Sequence, residues 1–252
     1  MIETLVTMLI KRWYVWCFLI SYFLIAHFYW GWRQTLKFLF LGYLLAWGSE
    51  ALSIRHGFPY GLYQYHYEAM PHEWMIFGVP FWDSLSYVFL AFFSLTVATL
   101  IHAKYRPQHP LIEIQNSWLT LLMAACYMMM IDIVIDPVAN QGEKWFLGKI
   151  YHYPEGGAYF GVPLSNFAGW WLTALVIYIF NRMLWPAKES SLMERFLPLG
   201  TLLYFMVFIF NFLITWWIGD YKLLFADILW GTLMFAIVYH ASRYKNKIPL
   251  HF

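Results

Sequence analysis

The sequence predicts an all-α integral membrane protein, a polytopic bundle of about seven transmembrane helices that forms one domain over residues 1–252. Hydrophobic residues make up 62% of the chain and charged residues only 12%, about half the charged share of an ordinary soluble domain. Apolar runs of about 20 residues, the length that crosses a bilayer as a helix, recur along the chain. No polar linker separates these runs, so a single domain is expected.

The apolar runs give the predicted spans in order. They cover roughly residues 13–30, 35–54, 77–101, 117–137, 161–185, 196–218 and 222–240. Pro80 and Pro163 lie near the starts of the third and fifth spans, where a missing backbone N–H costs no hydrogen bond. Pro137 disfavours a helical conformation at Asp136, which places Asp136 at the exit of the fourth span unless the helix continues past it.

The lysines and arginines divide unequally between the two sides of the predicted bundle. Six lie on the side of the N-terminus, namely Lys11, Arg12, Arg55, Lys144, Lys149 and Lys222. Ten lie on the other side, namely Arg33, Lys37, Lys104, Arg106, Arg182, Lys188, Arg195, Arg243, Lys245 and Lys247. Because cytoplasmic loops carry the excess of positive charge, the second side and the C-terminus are expected in the cytoplasm. The chain is expected in the cytoplasmic membrane of a prokaryote. Its net charge of +2 is too small to indicate a nucleic-acid partner.

Two loops on the non-cytoplasmic side, residues 55–87 and 136–170, share an order of motifs. Each has an acid near the end of the preceding span, then a tyrosine–histidine cluster, then Gly-Val-Pro before the next span. Tyr-His-Tyr occurs at 65–67 and 151–153, and Gly-Val-Pro occurs at 78–80 and 161–163. An internal repeat explains this pattern, and chance recurrence in a chain with 19 tyrosines is the alternative. Because an even number of spans separates them, both loops are expected to cap the same face of the bundle.

Four carboxylates, Glu50, Asp132, Asp136 and Asp227, lie within or at the ends of predicted spans. An ionised side chain in the hydrocarbon core costs at least about 2.5–3.5 kcal/mol. A membrane protein keeps such groups where they face a cavity, pair with another group or carry protons. We therefore interpret the chain as a site that is enclosed by helices.

Two of these acids have nearby basic residues that offer a purely structural alternative. Arg55 and His56 follow Glu50 closely enough to pair with it beyond the helix end, and Lys222 lies five residues before Asp227. An ion pair that fixes helix packing would explain either acid without any chemistry.

Asp132 and Asp136 stand four residues apart and share one face of the fourth span if the helix includes both. Two carboxylates close together in a poorly solvated place cannot both ionise cheaply, so one is expected to hold its proton and act as a general acid. In the alternative, Asp132 pairs with an arginine or lysine, and Asp136 accepts backbone N–H groups in the turn.

Polar and aromatic residues accompany these acids in the sequence. Asp83 lies in the first turn of the third span, where the helix N-terminus favours a carboxylate. Asn166 lies in the first turn of the fifth span, where its amide could orient a water or a carboxylate or satisfy a neighbouring loop. The aromatic residues are either packing and interface anchors or ring faces for a developing cation, worth about 0.5–2 kcal/mol each. They are Tyr60, Tyr63, Tyr65, Tyr67, Trp82, Tyr159 and Trp170.

The positions of histidine, lysine and cysteine argue against a metal site, a retinal site and a cysteine-based site. The nine histidines are scattered and form neither HxxxH nor HxxHH, so no metal site is expected. Residues 223–240 contain no lysine for a retinal Schiff base. Cys17 and Cys126 both fall in predicted spans, so neither a disulfide framework nor a CxxC site is expected.

Several segments match a known pattern in order and with similar spacing. They are Glu50, GFPYGLYQY at 57–65, GVPFW at 78–82, Asp132 with Asp136-Pro137, Trp145, and YFGVPLSNFAGW at 159–170. In this combination, which extends over most of the middle of the chain, the sequence resembles the membrane carotenoid-biosynthesis family of the carotenoid 1,2-hydratase and bisanhydrobacterioruberin hydratase type. Any single piece is weak, whereas the combination is fairly specific.

This resemblance implies a cofactor-free hydro-lyase that adds water across the terminal isoprenoid double bond of an acyclic carotenoid. Asp132 is then the expected proton donor because it lies deepest in the apolar run MMMIDIVID, while Asp136 or Glu50 stays ionised and Asn166 assists with the water. The expected substrate-binding residues are Tyr60, Tyr63, Tyr65, Trp82, Tyr159, Asn166, Trp170 and Asp227. The implied partners are a lipid-soluble polyene, water, the lipid bilayer and other enzymes of the carotenoid pathway.

Two other functions suit the same residues. A cyclase or isomerase would use the same acid and aromatic pocket but lose a proton instead of adding water. A transporter or carotenoid-binding protein would also explain paired halves and intramembrane acids. Against transport, the acids cluster toward one face of the bundle instead of its midplane.

Overall fold

The structure, a computed structural model, describes residues 2–185 and 190–244, with side chains from residue 6 onward. Lys188, Lys245 and Lys247, which contributed to the predicted orientation, lie outside the described residues. Within the described ranges the chain is mostly helical, with nine α-helices and four two-residue strands.

Seven of the helices are 18 residues or longer. In chain order the helices are α1 Ile2–Lys11, α2 Trp13–Trp30, α3 Trp32–His56, α4 Phe81–Tyr105, α5 Leu111–Gln115, α6 Trp118–Ala139, α7 Leu164–Leu184, α8 Met193–Ile218 and α9 Tyr221–Arg243. Six of them, α2, α4, α6, α7, α8 and α9, are long and apolar enough to cross a membrane. The chain is therefore an integral membrane protein. Helix α3 is also long but is less apolar than these six helices.

Helix α4 is the centre of the bundle, packed against α3, α6 and α8. Its most apolar stretch is 89% buried inside the protein, whereas that of α9 is only 17% buried. A helix that is apolar on all sides is buried in a protein core or exposed to lipid. Helix α4 is therefore a core helix, whereas α9 presents most of its apolar surface to the outside of the bundle.

The predicted helix boundaries differ from the observed ones by up to four residues, and local backbone chemistry explains two of these differences. The third span was expected to begin at residue 77, but α4 begins at Phe81, after a hairpin of β2 Met75–Ile76 and β3 Val79–Pro80. The fourth span was expected to end at residue 137, with Pro137 favouring a helix exit at Asp136, but α6 continues to Ala139, and the Asn140 N–H donates to the Asp136 carbonyl oxygen at 2.9 Å. A proline in the last turn removes one helical hydrogen bond without ending the helix.

Both Gly-Val-Pro segments fold the same way. Phe77 and Gly78 have positive φ values of 51° and 84°, and Phe160 and Gly161 have 50° and 81°. Positive φ at both central residues of a two-residue turn is typical of tight hairpins, and glycine tolerates it at no steric cost. Each turn is followed by an extended proline and then by a helix, so the recurring motif is one local structure used twice.

The two aromatic loops meet through an antiparallel pair of strands, β1 Gln64–Tyr65 and β4 Tyr151–His152. Tyr65 lies opposite Tyr151, and Gln64 lies opposite His152. The His66 N–H extends the pairing by donating to the Ile150 carbonyl oxygen at 2.8 Å. This β1–β4 ribbon lies where α3 and α6 end and α4 and α7 begin.

Candidate active site

A cavity of about 150 Å³ lies beneath the β1–β4 ribbon, between α2, α3, α4, α6, α7 and α8. An engineered apolar cavity of about this size holds benzene, so the space suits one branched hydrocarbon end. Its tyrosines and tryptophans are Tyr14, Tyr60, Tyr63, Tyr65, Tyr87, Trp145, Tyr151, Tyr153 and Trp170. The other polar residues of its wall are Arg12, Glu50, Asp83, Ser86, Asp136, Asn166 and Asn211.

Glu50 reaches the cavity from the last two turns of α3 and is only 3% exposed. The Tyr65 hydroxyl donates to Glu50 Oε2 at 2.9 Å. The alternative that Arg55 pairs with Glu50 is wrong, because Arg55 donates to the backbone carbonyls of Ala51 and Phe77 instead. Glu50 is therefore a cavity carboxyl with a single phenol donor.

Asp132, Asp136 and Asn166 form one hydrogen-bonded group between α6 and α7. Asn166 Nδ2 donates to Asp132 Oδ2 at 2.7 Å and to Asp136 Oδ2 at 2.9 Å. Tyr153 donates to Asp136 Oδ2 at 2.8 Å, and Tyr151 donates to Asp136 Oδ1. Three donors stabilise the ionised form of a carboxyl group, so the Asp136 environment suits a negative charge.

Asp132 lies behind this group and away from the cavity. It is fully buried, and its Oδ1 has no hydrogen-bond partner among the described residues. The cavity wall includes Asp136 and Asn166 but not Asp132, so the amide of Asn166 separates Asp132 from the cavity. The ion pairs of the described chain involve neither Asp132 nor Asp136, so the alternative that Asp132 pairs with an arginine or lysine is wrong.

The loop tyrosines that reach these carboxyls stay protonated. Burial, and next the charge of Asp136, raise the pKa of Tyr151 and of Tyr153 well above the usual value. Burial, and next Glu50, do the same to the pKa of Tyr65. Each phenol therefore acts as a hydrogen-bond donor at any physiological pH.

Aromatic rings surround the rest of the cavity. The Trp170 ring stacks on Tyr87 with centroids 4.0 Å apart and an interplanar angle of 13°. The Tyr60 hydroxyl donates to Thr173 Oγ1 at 2.8 Å and lies 2.7 Å from Ser49 Oγ. These contacts orient the Tyr60 and Trp170 rings within the cavity wall.

A buried ion cluster closes one wall of the cavity. Arg12, only 2% exposed, places Nε 2.7 Å from Glu73 Oε1 and Nη1 3.0 Å from Asp83 Oδ1. Asp83 therefore pairs with an arginine, a partner that its position in a first helical turn did not indicate. Since Glu73 and Asp83 are 61 and 71 positions away from Arg12, no local pattern could have linked them.

Three residues predicted to bind substrate lie outside the cavity wall. Trp82 packs against Trp16 at a centroid distance of 4.5 Å, and Tyr159 packs against Phe167. Asp227 is fully buried on α9, and its carboxylate oxygens have no partner in the described part of the chain, so the alternative of a Lys222 pair is wrong. The predicted site residues that do line the cavity are Glu50, Tyr60, Tyr63, Tyr65, Asp136, Asn166 and Trp170.

Two residues that the sequence analysis omitted from the site, Tyr151 and Tyr153, are central to it. The recurring Tyr-His-Tyr motif was the signal that could have found them, because Tyr65 of the first copy contacts Glu50 as Tyr151 of the second contacts Asp136. The finished site combines one weakly bonded carboxyl, one strongly bonded carboxylate and a wall of rings. Such an arrangement can give a proton to an apolar molecule and stabilise the cation that results.

Comparison with known proteins gives a family match over most of the chain. A family model described as "Carotenoid biosynthesis protein" matches residues 6–237. The chain is also similar to bisanhydrobacterioruberin hydratase of Haloarcula japonica, with 28% identity over 134 residues, which is 53% of this chain and 40% of that relative. The chain therefore aligns with less than half of the relative's length, and no solved structure matches it. Since the family model covers nearly the whole sequence, the chain belongs to the carotenoid biosynthesis protein family.

Proposed function

We propose that this protein is a cofactor-independent hydro-lyase that adds water across the terminal isoprenoid double bond of an acyclic carotenoid. The observation that carries the proposal is the cavity in which Glu50 and Asp136 face the same space inside aromatic walls. The similarity to a protein named as a hydratase supports addition of water over the other outcomes of the same chemistry.

The first step is proton transfer from a carboxylic acid to the alkene. The double-bond electron pair takes the proton at the less substituted carbon, which leaves a tertiary cation on the hydrocarbon and a carboxylate on the protein. Glu50 is the donor that the geometry favours, because it lines the cavity and accepts only one hydrogen bond from the described residues. Asp132, the donor expected from the sequence, would have to act through Asn166.

The cation is stabilised by charge and by ring faces. Asp136, with its three donors, supplies a fixed negative charge inside the cavity. Ring faces of Tyr63, Tyr65 and Trp170 add about 0.5–2 kcal/mol each when they lie over a cation. A preorganised charge in a site without bulk water acts without any cost of reorganisation during the reaction.

Water then captures the cation and closes the cycle. Its oxygen forms the new C–O bond, and the proton that it releases returns to the Glu50 carboxylate, either directly or through Asp136. The net change is one water added to one double bond, and the acid is restored. No redox partner is required.

The proposed membrane arrangement rests on the distribution of lysine and arginine between the two sides of the bundle. Helix α3 acts as a seventh span, the two aromatic loops cap the site on the non-cytoplasmic face, and the C-terminus lies in the cytoplasmic compartment of a prokaryotic cell. The substrate is a polyene already dissolved in the bilayer, so its end enters between helices from the lipid. Water and the loops meet at the opposite, aqueous end of the same site.

Expression in a host that makes an acyclic carotenoid such as lycopene tests this function, with pigments analysed by mass. Product heavier by one water supports a hydratase. Unchanged mass with a shifted absorption spectrum indicates the cyclase or isomerase alternative, and unchanged pigment contradicts an enzyme acting on this substrate.

Three variants assign the proton donor. Glu50→Gln keeps the size of the side chain and removes the transferable proton, so it should abolish hydration. Asp136→Asn should lower the rate without abolishing it, because the acid remains. Glu68→Gln is the matched control, since Glu68 is exposed in the first loop. Loss of hydration in Asp132→Asn together with near-full activity in Glu50→Gln would make Asp132 the acid.

A further inference from the structure

The water that captures the cation needs a polar partner that is free to hold it. Asn166 was expected to do so, but its Nδ2 group already donates to Asp132 and to Asp136. An amide nitrogen carries two hydrogens, so both are engaged. Both hydrogens of Asn166 are thus committed to the two carboxyl groups, which leaves only its oxygen for water, and a second amide in the cavity wall offers a further acceptor.

Asn211 on α8 is the remaining amide in the cavity wall. Its neighbours on the same wall, Val207 and Phe210, are apolar. The residue is only 8% exposed, so it is a polar group set into an otherwise hydrocarbon surface. Burial of an amide without full hydrogen bonding is costly, so a free amide atom in this wall is stabilised by a hydrogen-bond partner such as water.

The orientation of the Asn211 amide is fixed by its own helix. Nδ2 donates to the Val207 carbonyl oxygen at 2.9 Å. A backbone carbonyl can only accept, so the atom next to it must be the nitrogen. Over residues 2–185 and 190–244, no donor reaches Asn211 Oδ1, and this oxygen is not sealed from the cavity as Asp132 Oδ1 is. One acceptor therefore remains available to a water molecule.

Asn211 and Glu50 lie at similar depth in the bundle. Asn211 is seven residues before the end of α8 at Ile218, and Glu50 is six residues before the end of α3 at His56. At 1.5 Å per residue these distances are about 10 Å and 9 Å. Both helix ends lie on the loop side, since Gln141 of the second loop contacts Asp220 just beyond α8.

A second asparagine makes the same hydrogen bond to its own helix backbone but lies outside the cavity. Asn181 on α7 donates to the Ile177 carbonyl oxygen at the same distance of 2.9 Å and is 6% exposed. Its oxygen is sealed without a partner, and it lines a separate space of only about 20 Å³ near the other end of the bundle. What distinguishes Asn211 is its place in the wall of the site.

We propose that Asn211 is a positioning residue that holds the attacking water through Oδ1 and thereby selects hydration over proton loss; this inference rests on the proposed function. With water in place, its oxygen bonds to the cationic carbon and a proton leaves the oxygen. Without it, a neighbouring carbon loses its proton to a cavity carboxylate, and the C–H electron pair forms a shifted double bond. The second product has the mass of the substrate.

The ratio of hydrated to isomerised product tests the role of Asn211. Asn211→Leu removes the acceptor and keeps the branched shape and the number of side-chain heavy atoms, and Asn181→Leu is the matched control. We expect Asn211→Leu to lower the ratio by about tenfold, the effect of losing one hydrogen bond, while substrate is still consumed because the Glu50 step is intact. Asn181→Leu should leave the ratio unchanged.

Several outcomes would overturn this role. An unchanged ratio in Asn211→Leu, or an equal fall of both products, would show that the residue only packs. If Asn211→Leu does not form a monodisperse protein in detergent, Asn211→Ala removes the same oxygen and decides by the same ratio. A wild-type chain that never forms the hydrated product would contradict the hydratase proposal itself, whereas hydration with an Asn211-independent ratio contradicts only this inference.

Discussion

Tyr65 and Tyr151 lie directly opposite each other in the β1–β4 ribbon, and their hydroxyls end on different carboxyl groups of the cavity. Tyr65 donates to Glu50 and Tyr151 donates to Asp136. Directly opposed residues of an antiparallel pair project from the same face. One two-stranded ribbon therefore contacts both carboxyls, and residues of both aromatic loops line the cavity.

Removal of one ribbon hydroxyl tests this coupling. Tyr151→Phe deletes a donor to Asp136 and leaves a buried carboxylate short of one partner, which costs about 1–3 kcal/mol. We expect the rate of carotenoid conversion in isolated membranes to fall by about tenfold to a hundredfold. Tyr67→Phe is the control, because Tyr67 is exposed and donates to the Gly78 carbonyl oxygen, away from the carboxyls. Equal rates for the two variants would contradict a role of the ribbon in the site.

Two histidines on the opposite face of the ribbon predict that the stability of the ribbon depends on pH. The rings of His66 and His152 stack with centroids 4.6 Å apart. Burial, and then His66 and Lys149, lower the pKa of His152. The folded ribbon therefore resists protonation of His152, so its stability is fully present above the unfolded pKa of about 6.5 and declines as the pH falls below it.

Hydrogen exchange measures this loss. The protection factor of the His66 N–H, which bonds to Ile150, should be constant above about pH 7 and should fall as the pH drops below about 6.5. His152→Gln should remove most of the change. Constant protection in the wild type down to pH 5 would show that the stacked pair does not affect the ribbon.

Hydropathy predicted helix positions well where the chain is regular. The first span, expected at 13–30, matches α2 at Trp13–Trp30. The errors fall where local chemistry interrupts an apolar run, as at Phe77 and Gly78, whose positive φ values turn the chain before α4 begins. Hydrophobic periodicity does not report such turns, although the sequence Gly-Val-Pro does contain the signal.

The cavity position of two acids could be predicted from the sequence, whereas the side of each helix that faces the cavity could not. The cost of charge in hydrocarbon identified Glu50 and Asp136 from the sequence alone. On α4, however, Ser86 and Tyr87 face the cavity and Trp82 faces α2. Which side of a helix faces a cavity depends on its packed neighbours, which a single sequence with aromatic residues on every side does not specify.

Close packing at Gly169 predicts a sensitive position beside the cavity. A Cβ atom at Gly169 would lie 2.6 Å from Tyr60 Cδ1 and 2.8 Å from the Pro59 carbonyl oxygen. Overpacking of this kind costs about 1–3 kcal/mol. Gly169→Ala should therefore lower the melting temperature in detergent and displace the Tyr60 ring. Gly48→Ala is the control on α3, since no atom lies within 4 Å of its Cβ position, and an equal effect of both would refute the packing argument.

The ion cluster of Arg12, Glu73 and Asp83 predicts that removing the arginine alone lowers the stability of the fold, and that removing all three charges restores most of it. Arg12→Met leaves the carboxylates of Glu73 and the partly exposed Asp83 without their buried cation, and breaking a buried pair costs about 3–5 kcal/mol, an upper figure for this cluster. The melting temperature in detergent should fall sharply. The triple variant Arg12→Met, Glu73→Gln, Asp83→Asn should recover most of it, because no uncompensated charge remains. A triple variant as unstable as Arg12→Met would show that the arginine stabilises the fold through its stem and its contact with Tyr14 instead of its charge.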